Sequence, residues 1–203
     1  MDWLDVVQEL SRIAQAGLAY SEGPFDRERY SQLLELAAKI GGAGLGREVE
    51  QIETILRAEA GYATPKVDVR AVVPKGDKLL FVREASDGLW ALPGGWADVG
   101  STPREMFARE VLEETGYVVE PTKLLAVLDK SKHDHPRDLW WVYKLFCRCE
   151  LMGGDPRTSH ETLEVAFFGE HELPPLSVPR NTREQVMRMF AHVRNPGLFA
   201  DLD

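Results

Sequence analysis

The chain has 203 residues, enough for one large domain or two small ones. Hydrophobic residues make up 44% of it and charged residues 28%, which is typical of globular proteins. The net charge of −9 disfavours a general nucleic-acid surface, and nothing resembles a transmembrane run. We therefore expect no membrane association and no stable nucleic-acid partner.

The N-terminus and the cysteines indicate the compartment. The first residues, MDWLDVVQEL, lack the basic region of a secretory signal. The two cysteines, Cys147 and Cys149, are too close in sequence to form a useful disulfide. Reduced thiols are typical of the cytoplasm, so we expect a cytoplasmic protein.

Three helices are predicted before residue 62. Apolar residues at helical spacing predict a first helix over 2–20, a second over Asp26–Ile40 that ends before Gly41-Gly42, and a third over Arg47–Ala60. So few short helices form a poor independent core, and their apolar faces need cover. We expect residues 1–62 to be a helical domain that forms a homodimer. Packing on the rest of the same chain is the alternative.

The second domain is expected over residues 67–203, where strands and helices mix irregularly. The first two strands are predicted to form a hairpin around Pro74–Asp77, and a last helix to begin near Asn181. The predicted strands cover 67–73, 78–83, 89–93, 122–128, 140–151 and 164–168. This order predicts an α+β fold with a mixed sheet between helices.

A polar loop, Asp129–Asp138, separates two of these strands. It is basic enough to meet phosphate and long enough to overhang a pocket. Two histidines in it, His133 and His135, raise the alternative of a metal site. We expect them to be solvent-exposed.

One short helix follows a pair of glycines in the stretch GGWADVGSTPREMFAREVLEETGY. Thr102 is placed to cap this helix, with Pro103 at its first position and Glu105 completing a capping box. Gly116 is placed to end it in a left-handed conformation. The sequence thus predicts both ends of the helix.

Three carboxylates share one face of this helix. Glu110, Glu113 and Glu114 have the spacing i, i+3, i+4, so they lie within an arc of roughly 100°. Their mutual repulsion is relieved by a hard divalent cation, and Arg109 is placed to hold Glu113. The opposite face is expected to bury Phe107, Ala108, Val111 and Leu112. A solvated acidic face is the alternative to a metal site.

This stretch resembles the signature of the Nudix hydrolases, G-x5-E-x7-R-E-U-x-E-E-x-G-U, in which U is a bulky apolar residue. The matching positions are Gly95, Arg109, Glu110, Val111, Glu113, Glu114, Gly116 and Tyr117. One position departs, because Ser101 stands where the family has its first glutamate. The N-terminal helices also resemble the extension of a subgroup that includes ADP-ribose and CDP-choline pyrophosphatases. The resemblance implies a Nudix α/β/α sandwich.

The resemblance also implies a metal site. Its ligands would be Glu110, Glu113 and Glu114, with the Gly94 carbonyl beside them, and its ion Mg²⁺, with Mn²⁺ as the alternative. Since Ser101 carries no carboxylate, the general base has to come from elsewhere. We choose Glu161, with Glu114 and Glu164 as alternatives. Arg109, Glu114 and Glu161 are thus the predicted catalytic residues.

Substrate contacts are predicted around this helix. Trp96 directly follows the glycines, while Arg70 and Arg83 on the first two strands are placed to reach phosphate or ribose. Each of these side chains has a structural alternative, either core packing or surface ion pairing. Other aromatic candidates for a base slot are Trp90, Trp140, Trp141 and Tyr143.

The family implies a reaction on a small nucleotide substrate. A metal-activated water would cleave a nucleoside diphosphate linked to a group X, such as CDP-choline or ADP-ribose, into NMP and phosphorylated X. A non-catalytic nucleotide-sensing module and an exonuclease that trims RNA 3′ ends are the alternatives. The retained glutamates argue against the first, and the acidic chain argues against the second as a main role.

Overall fold

Two units make up the computed structural model, which describes residues 2–59 and 61–203. One comprises Met1–Pro65 with Asp138–Trp140, and the other Lys66–Arg137 with Trp141–Asp203. Within the described ranges, no helix is both long and apolar enough to cross a lipid bilayer.

The first unit contains three helices, as the sequence predicts. They are α1 (Trp3–Tyr20), α2 (Pro24–Leu45) and α3 (Val49–Arg57). The predicted end of the third helix, Ala60, lies outside the described residues. The helices enclose a small apolar core of Val7, Ala14, Leu34, Ala37, Ala38, Ile52 and Leu56.

Helix α2 is longer than predicted, because Gly41 and Gly42 do not end it. The helix continues to Leu45 and ends at Gly46, whose φ of 63° is left-handed. A Cβ atom at Gly41 would lie 3.1 Å from Cγ2 of Ile52. The missing side chain therefore lets α3 approach α2, and this glycine serves helix packing rather than termination.

The second unit is built from strands and two long helices. Its strands are β1 (Lys66–Val72), β2 (Pro74–Lys75), β3 (Lys78–Glu84), β4 (Trp90–Ala91), β5 (Tyr117–Asp129), β6 (Val142–Gly154), β7 (Thr162–Gly169) and β8 (Asp201–Leu202). Its helices are α4 (Pro103–Thr115) and α5 (Arg183–Arg194). The fifth predicted strand thus starts at Val142 rather than at Trp140.

The strands form two sheets. One is mixed, in the order β1-β6-β5-β8, with β1 parallel to β6 and β5 antiparallel to β6. The other is antiparallel, with β3 between β4 and β7 and the short β2 also paired to β3. This confirms the α+β class and the mixed sheet.

The predicted hairpin of the first two strands forms only next to its turn. Pro74–Lys75 pairs with β3 and the Val73 carbonyl accepts from the Leu80 N–H, whereas β1 itself pairs with β6. Residues 68–72 of β1 are all buried, whereas a hairpin strand with one wet face would alternate. Burial on both faces is typical of strands in parallel pairing.

Two apolar cores lie in this unit, and strands β1, β3, β5 and β6 contribute to both. One core packs against α4 through Met106, Phe107 and Val111. The other packs against α5 through Val186, Met189 and Phe190. Strands thus lie between the two helices, as in the sandwich that the resemblance implies.

Candidate active site

Helix α4 has the predicted ends. The Thr102 hydroxyl accepts a hydrogen bond from the Glu105 backbone N–H at 3.3 Å, and the Glu105 carboxylate accepts one from the Thr102 N–H at 2.8 Å. Pro103 occupies the first turn, and Gly116 ends the helix at a φ of 76°. The caps fix where the helix starts, and so fix which residues face the core.

The three glutamates of α4 lie at graded depth. Glu113 is exposed, Glu110 is half-buried, and Glu114 is buried at 6% exposure. The expectation that Leu112 is buried is wrong, since it is 43% exposed. The helix turns its Glu114 side toward the strands, which leaves Leu112 on the solvent side.

The glycine loop contacts two of these carboxylates. The Gly94 N–H donates a hydrogen bond to Oε2 of Glu114 at 2.9 Å. Gly94 has a φ of 141°, and a Cβ atom there would lie 1.9 Å from the Val69 carbonyl oxygen. A Cβ atom at Gly95 would lie 3.1 Å from Oε2 of Glu110. Only glycines allow the backbone to come this close.

The carboxylates of Glu110 and Glu114 are unfavourably placed for negative charge. Burial raises the pKa of Glu110 to about 7 and that of Glu114 to about 8. Arg70 opposes both shifts. The negative charges of Glu113 and Glu161 raise the pKa of Glu110 further, and that of Glu84 raises the pKa of Glu114 further. This is a site with excess negative charge.

The donor set fits a hard divalent cation. Among residues 2–59 and 61–203, no group of three or more His, Cys, Asp or Glu side chains is arranged to hold an ion alone. Mg²⁺ does not require such a cage, since it takes one or two carboxylates and completes its shell with water and phosphate. Carboxylates whose charge is disfavoured by burial, as here, would be relieved by a dication. Glu110 and Glu114, which border the glycine loop, are the candidate ligands in this arrangement.

The sequence predicted that Arg109 holds Glu113, but Arg109 binds other residues. Its guanidinium donates to Oδ2 of Asp98 at 2.5 Å and to the Ser101 hydroxyl at 3.1 Å. Both oxygens belong to the loop before α4, which therefore contacts Arg109. Arg109 therefore ties this loop to α4, and its charge opposes part of the rise in the pKa of Glu110.

Arg70 is buried, so it does not reach out to a substrate as predicted. Its guanidinium forms a fork with Asp68, at 3.0 and 2.8 Å, and donates to the Leu92 carbonyl at 3.1 Å. Lys144, opposite Asp68 in the β1–β6 register, donates to the same carboxylate at 2.6 Å. Arg70 thus acts on Glu114 from inside the protein, through its charge.

Sequence reasoning missed Asp68 and Lys144 as parts of this network. Asp68 and Arg70 lie two residues apart in a strand, which places them on one face. That spacing could have predicted an ion pair between Asp68 and Arg70. Lys144 could be assigned only from the register between β1 and β6, which the sequence does not give.

Arg83 lies at the surface in a pair with Glu164. Its Nη1 donates to Oε1 of Glu164 at 2.6 Å, and its Nε donates to the Gly88 carbonyl at 2.8 Å. The two residues are opposite each other in the β3–β7 register. Glu164 is thus the partner of an arginine, which leaves it a weaker candidate for a general base.

Glu161 and Trp96 are both exposed near the carboxylates. The Glu161 carbonyl accepts from the Ala85 N–H at 2.8 Å, and its side chain adds to the negative field at Glu110. Trp96 forms a backbone bridge with Asp68, and its ring is half-exposed. Both therefore stay candidates for contact with a substrate. Trp90 instead packs in the core against Phe168.

The two loop histidines are not solvent-exposed, contrary to expectation. A 3₁₀ turn over Lys130–Lys132 folds the loop back, and His133 donates to Oδ2 of Asp203 at 3.0 Å. His135 contacts the Val178 carbonyl at 2.6 Å. Burial, with the positive charge of Lys144, lowers the pKa of His135 to about 4. Both rings therefore fasten the loop.

Comparisons with known proteins agree with this geometry. Residues 64–189 match the family model described as NUDIX domain, and residues 1–56 match the one described as UDP-X-like, N-terminal oligomerisation domain. The "Putative ADP-ribose pyrophosphatase YjhB" of Bacillus subtilis (strain 168) is 44% identical over 194 residues, which cover 96% of this chain and 93% of that protein.

Two solved structures are also similar. An ADP-ribose pyrophosphatase from Streptococcus suis 89-1591 is 41% identical, with a TM-score of 0.64, over 69% of this chain and all of that one. A UDP-X diphosphatase is 33% identical, with a TM-score of 0.65, over the whole of both chains. With the signature helix, its glycine loop and these matches in agreement, the chain belongs to the Nudix hydrolase family.

Proposed function

We propose that the protein is a Mg²⁺-dependent pyrophosphohydrolase that cleaves a nucleoside diphosphate linked to X into NMP and phosphorylated X. The observation that carries this is the buried Glu114 carboxylate. It is hydrogen-bonded to the Gly94 N–H beside the half-buried Glu110, with excess negative charge around both. ADP-ribose is the first substrate to test, because two similar proteins bear that activity in their names. CDP-choline and UDP-linked compounds follow.

The residues of the site have separate roles in this reaction. A bound Mg²⁺ supplies a Lewis acid for phosphoryl oxygens and lowers the pKa of a bound water. Glu110, Glu113 and Glu114, with the Gly94 carbonyl, would hold the ion. Glu161, on its exposed loop, accepts the proton of the attacking water.

The neighbouring side chains position these groups. Arg109 fixes the loop of Asp98 and Ser101 against α4. Arg70 limits the repulsion between the buried carboxylates, because its charge opposes the rise in their pKa. Trp96 offers a half-exposed ring on which a nucleobase stacks. Arg83, although paired with Glu164, is exposed enough to exchange that partner for ribose or phosphate oxygens.

We also propose that the first unit forms a homodimer in the cytoplasm. Its surface carries several exposed large apolar side chains: Trp3, Ile13, Tyr20, Phe25, Leu36 and Leu45. Faces of this kind mark association sites. The matched description of residues 1–56, an oligomerisation domain, supports the same assignment. The free thiols of Cys147 and Cys149 support a reducing compartment.

A hydrolysis panel tests the proposed reaction. The substrates are ADP-ribose, CDP-choline, a UDP-sugar, NADH and a short RNA, each with Mg²⁺, with Mn²⁺ and with EDTA. We expect NMP from one of the first three, and no turnover with EDTA. Glu114→Gln should abolish turnover while keeping the thermal transition, whereas Glu120→Gln, an exposed carboxylate on β5, should leave turnover unchanged. Wild-type turnover in Glu114→Gln would remove the proposed chemistry.

A further inference from the structure

A diphosphate needs cations in addition to the metal, and the arginines named so far already donate hydrogen bonds to protein oxygens. Arg70 is buried and donates to Asp68 and to the Leu92 carbonyl. Arg83 donates to the Gly88 carbonyl and to Glu164. Arg109 holds the loop before α4. A guanidinium with unused donors near the carboxylates of Glu110 and Glu114 would therefore be a strong candidate for binding phosphate.

Arg180 lies on a turn that is hydrogen-bonded to the segment before the glycine loop. Its backbone N–H donates to the Ser177 carbonyl at 2.9 Å. The Ser177 hydroxyl donates to Oδ2 of Asp87 at 2.7 Å, in the loop between β3 and β4. Asn181 accepts from the Leu92 N–H at 2.8 Å, two residues before Gly94. The base of Arg180 is thus held beside the strand that delivers the glycine loop.

The guanidinium of Arg180 is largely unused. Its side chain is 38% exposed, and its one side-chain hydrogen bond in the described ranges goes to Oε2 of Glu84 at 3.4 Å. Charge-assisted bonds are normally about 2.7–2.9 Å long, so this one is weak. Arginine carries five N–H donors, and most of them remain available here.

Glu84 connects Arg180 with the buried carboxylates. Its side chain is only 8% exposed, and its Oε1 is buried without a hydrogen-bond partner among residues 2–59 and 61–203. Its negative charge acts on both Arg70 and Glu114, so it lies in the same charged cluster. A buried carboxylate with one weak partner is costly to keep. Its bond to Arg180 places that guanidinium next to this charged cluster.

We propose that Arg180 binds a phosphate of the nucleotide substrate, and that Glu84 is the positioning residue that holds it over the site. This rests on the proposed function for the identity of the substrate. The planar fork of arginine matches two phosphate oxygens at once, which lysine does not do. Arg180 would thus bind the phosphate that extends toward the loop between β3 and β4.

Binding of ADP in the presence of Mg²⁺, measured by calorimetry on the full chain, tests this directly. Arg180→Ala should weaken ADP binding about tenfold to a hundredfold, as expected for a lost charge-assisted hydrogen bond. Arg180→Lys should recover part of that loss. Arg194→Ala removes an exposed arginine of α5 that is paired with Glu170, and should bind ADP as the wild type does.

Kinetics separate positioning from a purely structural effect. Glu84→Gln should raise KM several-fold with kcat within about twofold of the wild type. The guanidinium of Arg180 is then misplaced, while the groups that catalyse the reaction are unchanged. Added guanidinium at non-denaturing concentration should restore ADP binding to Arg180→Ala. That rescue requires a folded protein, so an unfolded variant cannot imitate it.

The outcomes also separate this inference from the proposed function. If the wild type hydrolyses no substrate but binds ADP in an Arg180-dependent way, the reaction is refuted and the role of Arg180 stands. If the wild type hydrolyses ADP-ribose and Arg180→Ala binds ADP within twofold of it, the role of Arg180 is refuted alone. A wild-type protein with no affinity for ADP would also overturn it.

Discussion

The buried charge network of β1 and β6 predicts an unusual dependence of stability on pH. Asp68 is the hydrogen-bonded counter-charge of two buried cations, Arg70 and Lys144. Burial lowers the pKa of Lys144 from 10.5 to about 8, and Arg70 contributes to the decrease while Asp68 opposes it. In the unfolded chain the ammonium regains its ordinary pKa. The unfolded state therefore binds this proton more tightly than the folded state does.

The sign and the size follow from this difference. Because the folded pKa is the lower one, this contribution to stability is full above the unfolded pKa and is lost as the pH falls toward the folded pKa. A difference of about 2.5 pH units corresponds to roughly 3 kcal/mol. Of this, roughly 2 kcal/mol should appear between about pH 7.5 and about pH 9.5.

Urea denaturation of the wild type and of Lys144→Met at those two pH values measures this contribution. Methionine keeps the length of the side chain and removes the charge, while Asp68 keeps its two hydrogen bonds with Arg70. The free energy of unfolding should rise between the two pH values by ~2 kcal/mol more in the wild type than in the variant. Lys78→Met, at an exposed lysine of β3, should keep the wild-type difference. Equal rises in the wild type and Lys144→Met would refute the reasoning.

Three further substitutions test the fold and the interface. Gly94→Ala should cost more than about 2 kcal/mol of stability and abolish hydrolysis, because its Cβ would lie 1.9 Å from a backbone oxygen; an unchanged melting temperature would contradict this. Thr102→Ala should cost ~1 kcal/mol in chemical denaturation by removing the cap of α4, and no loss would mean that the cap is redundant. Leu36→Glu, at a 46% exposed site on α2, should convert a dimer into a monomer in light scattering. Leu124→Glu, at a 43% exposed site on β5, should stay dimeric, and a dimeric mass for Leu36→Glu would contradict a place for Leu36 in the interface.

Helix α4 was predictable because its ends are marked by local chemistry. A threonine cap, a proline in the first turn and a terminal glycine act within a few residues of one another, and each is visible in the sequence. The spacing of the three glutamates then follows from the helical period. The candidate site was thus located from one short stretch.

The features that sequence reasoning missed depend on contacts between distant segments. Gly41 reads as a helix end, yet it faces Ile52 of α3 and lets two helices approach. Strand β1 reads as half of a hairpin, yet it pairs with β6, far along the chain. His135 reads as a polar loop residue, yet the loop folds so that its ring meets the Val178 carbonyl. Tertiary packing decided each case over local preference.

The serine at position 101 can be understood from the partners of Arg109. This arginine contacts the Ser101 hydroxyl at 3.1 Å, but its closer bond, at 2.5 Å, is to Oδ2 of Asp98. Asp98 thus supplies an anion for Arg109 three residues before the family's glutamate position, so the loop stays fixed to α4. Asp98 is engaged by Arg109 and stands at the surface, so it cannot replace a lost base beside Glu110. The proton acceptor that we propose, Glu161, lies on another segment, and its charge acts on Glu110.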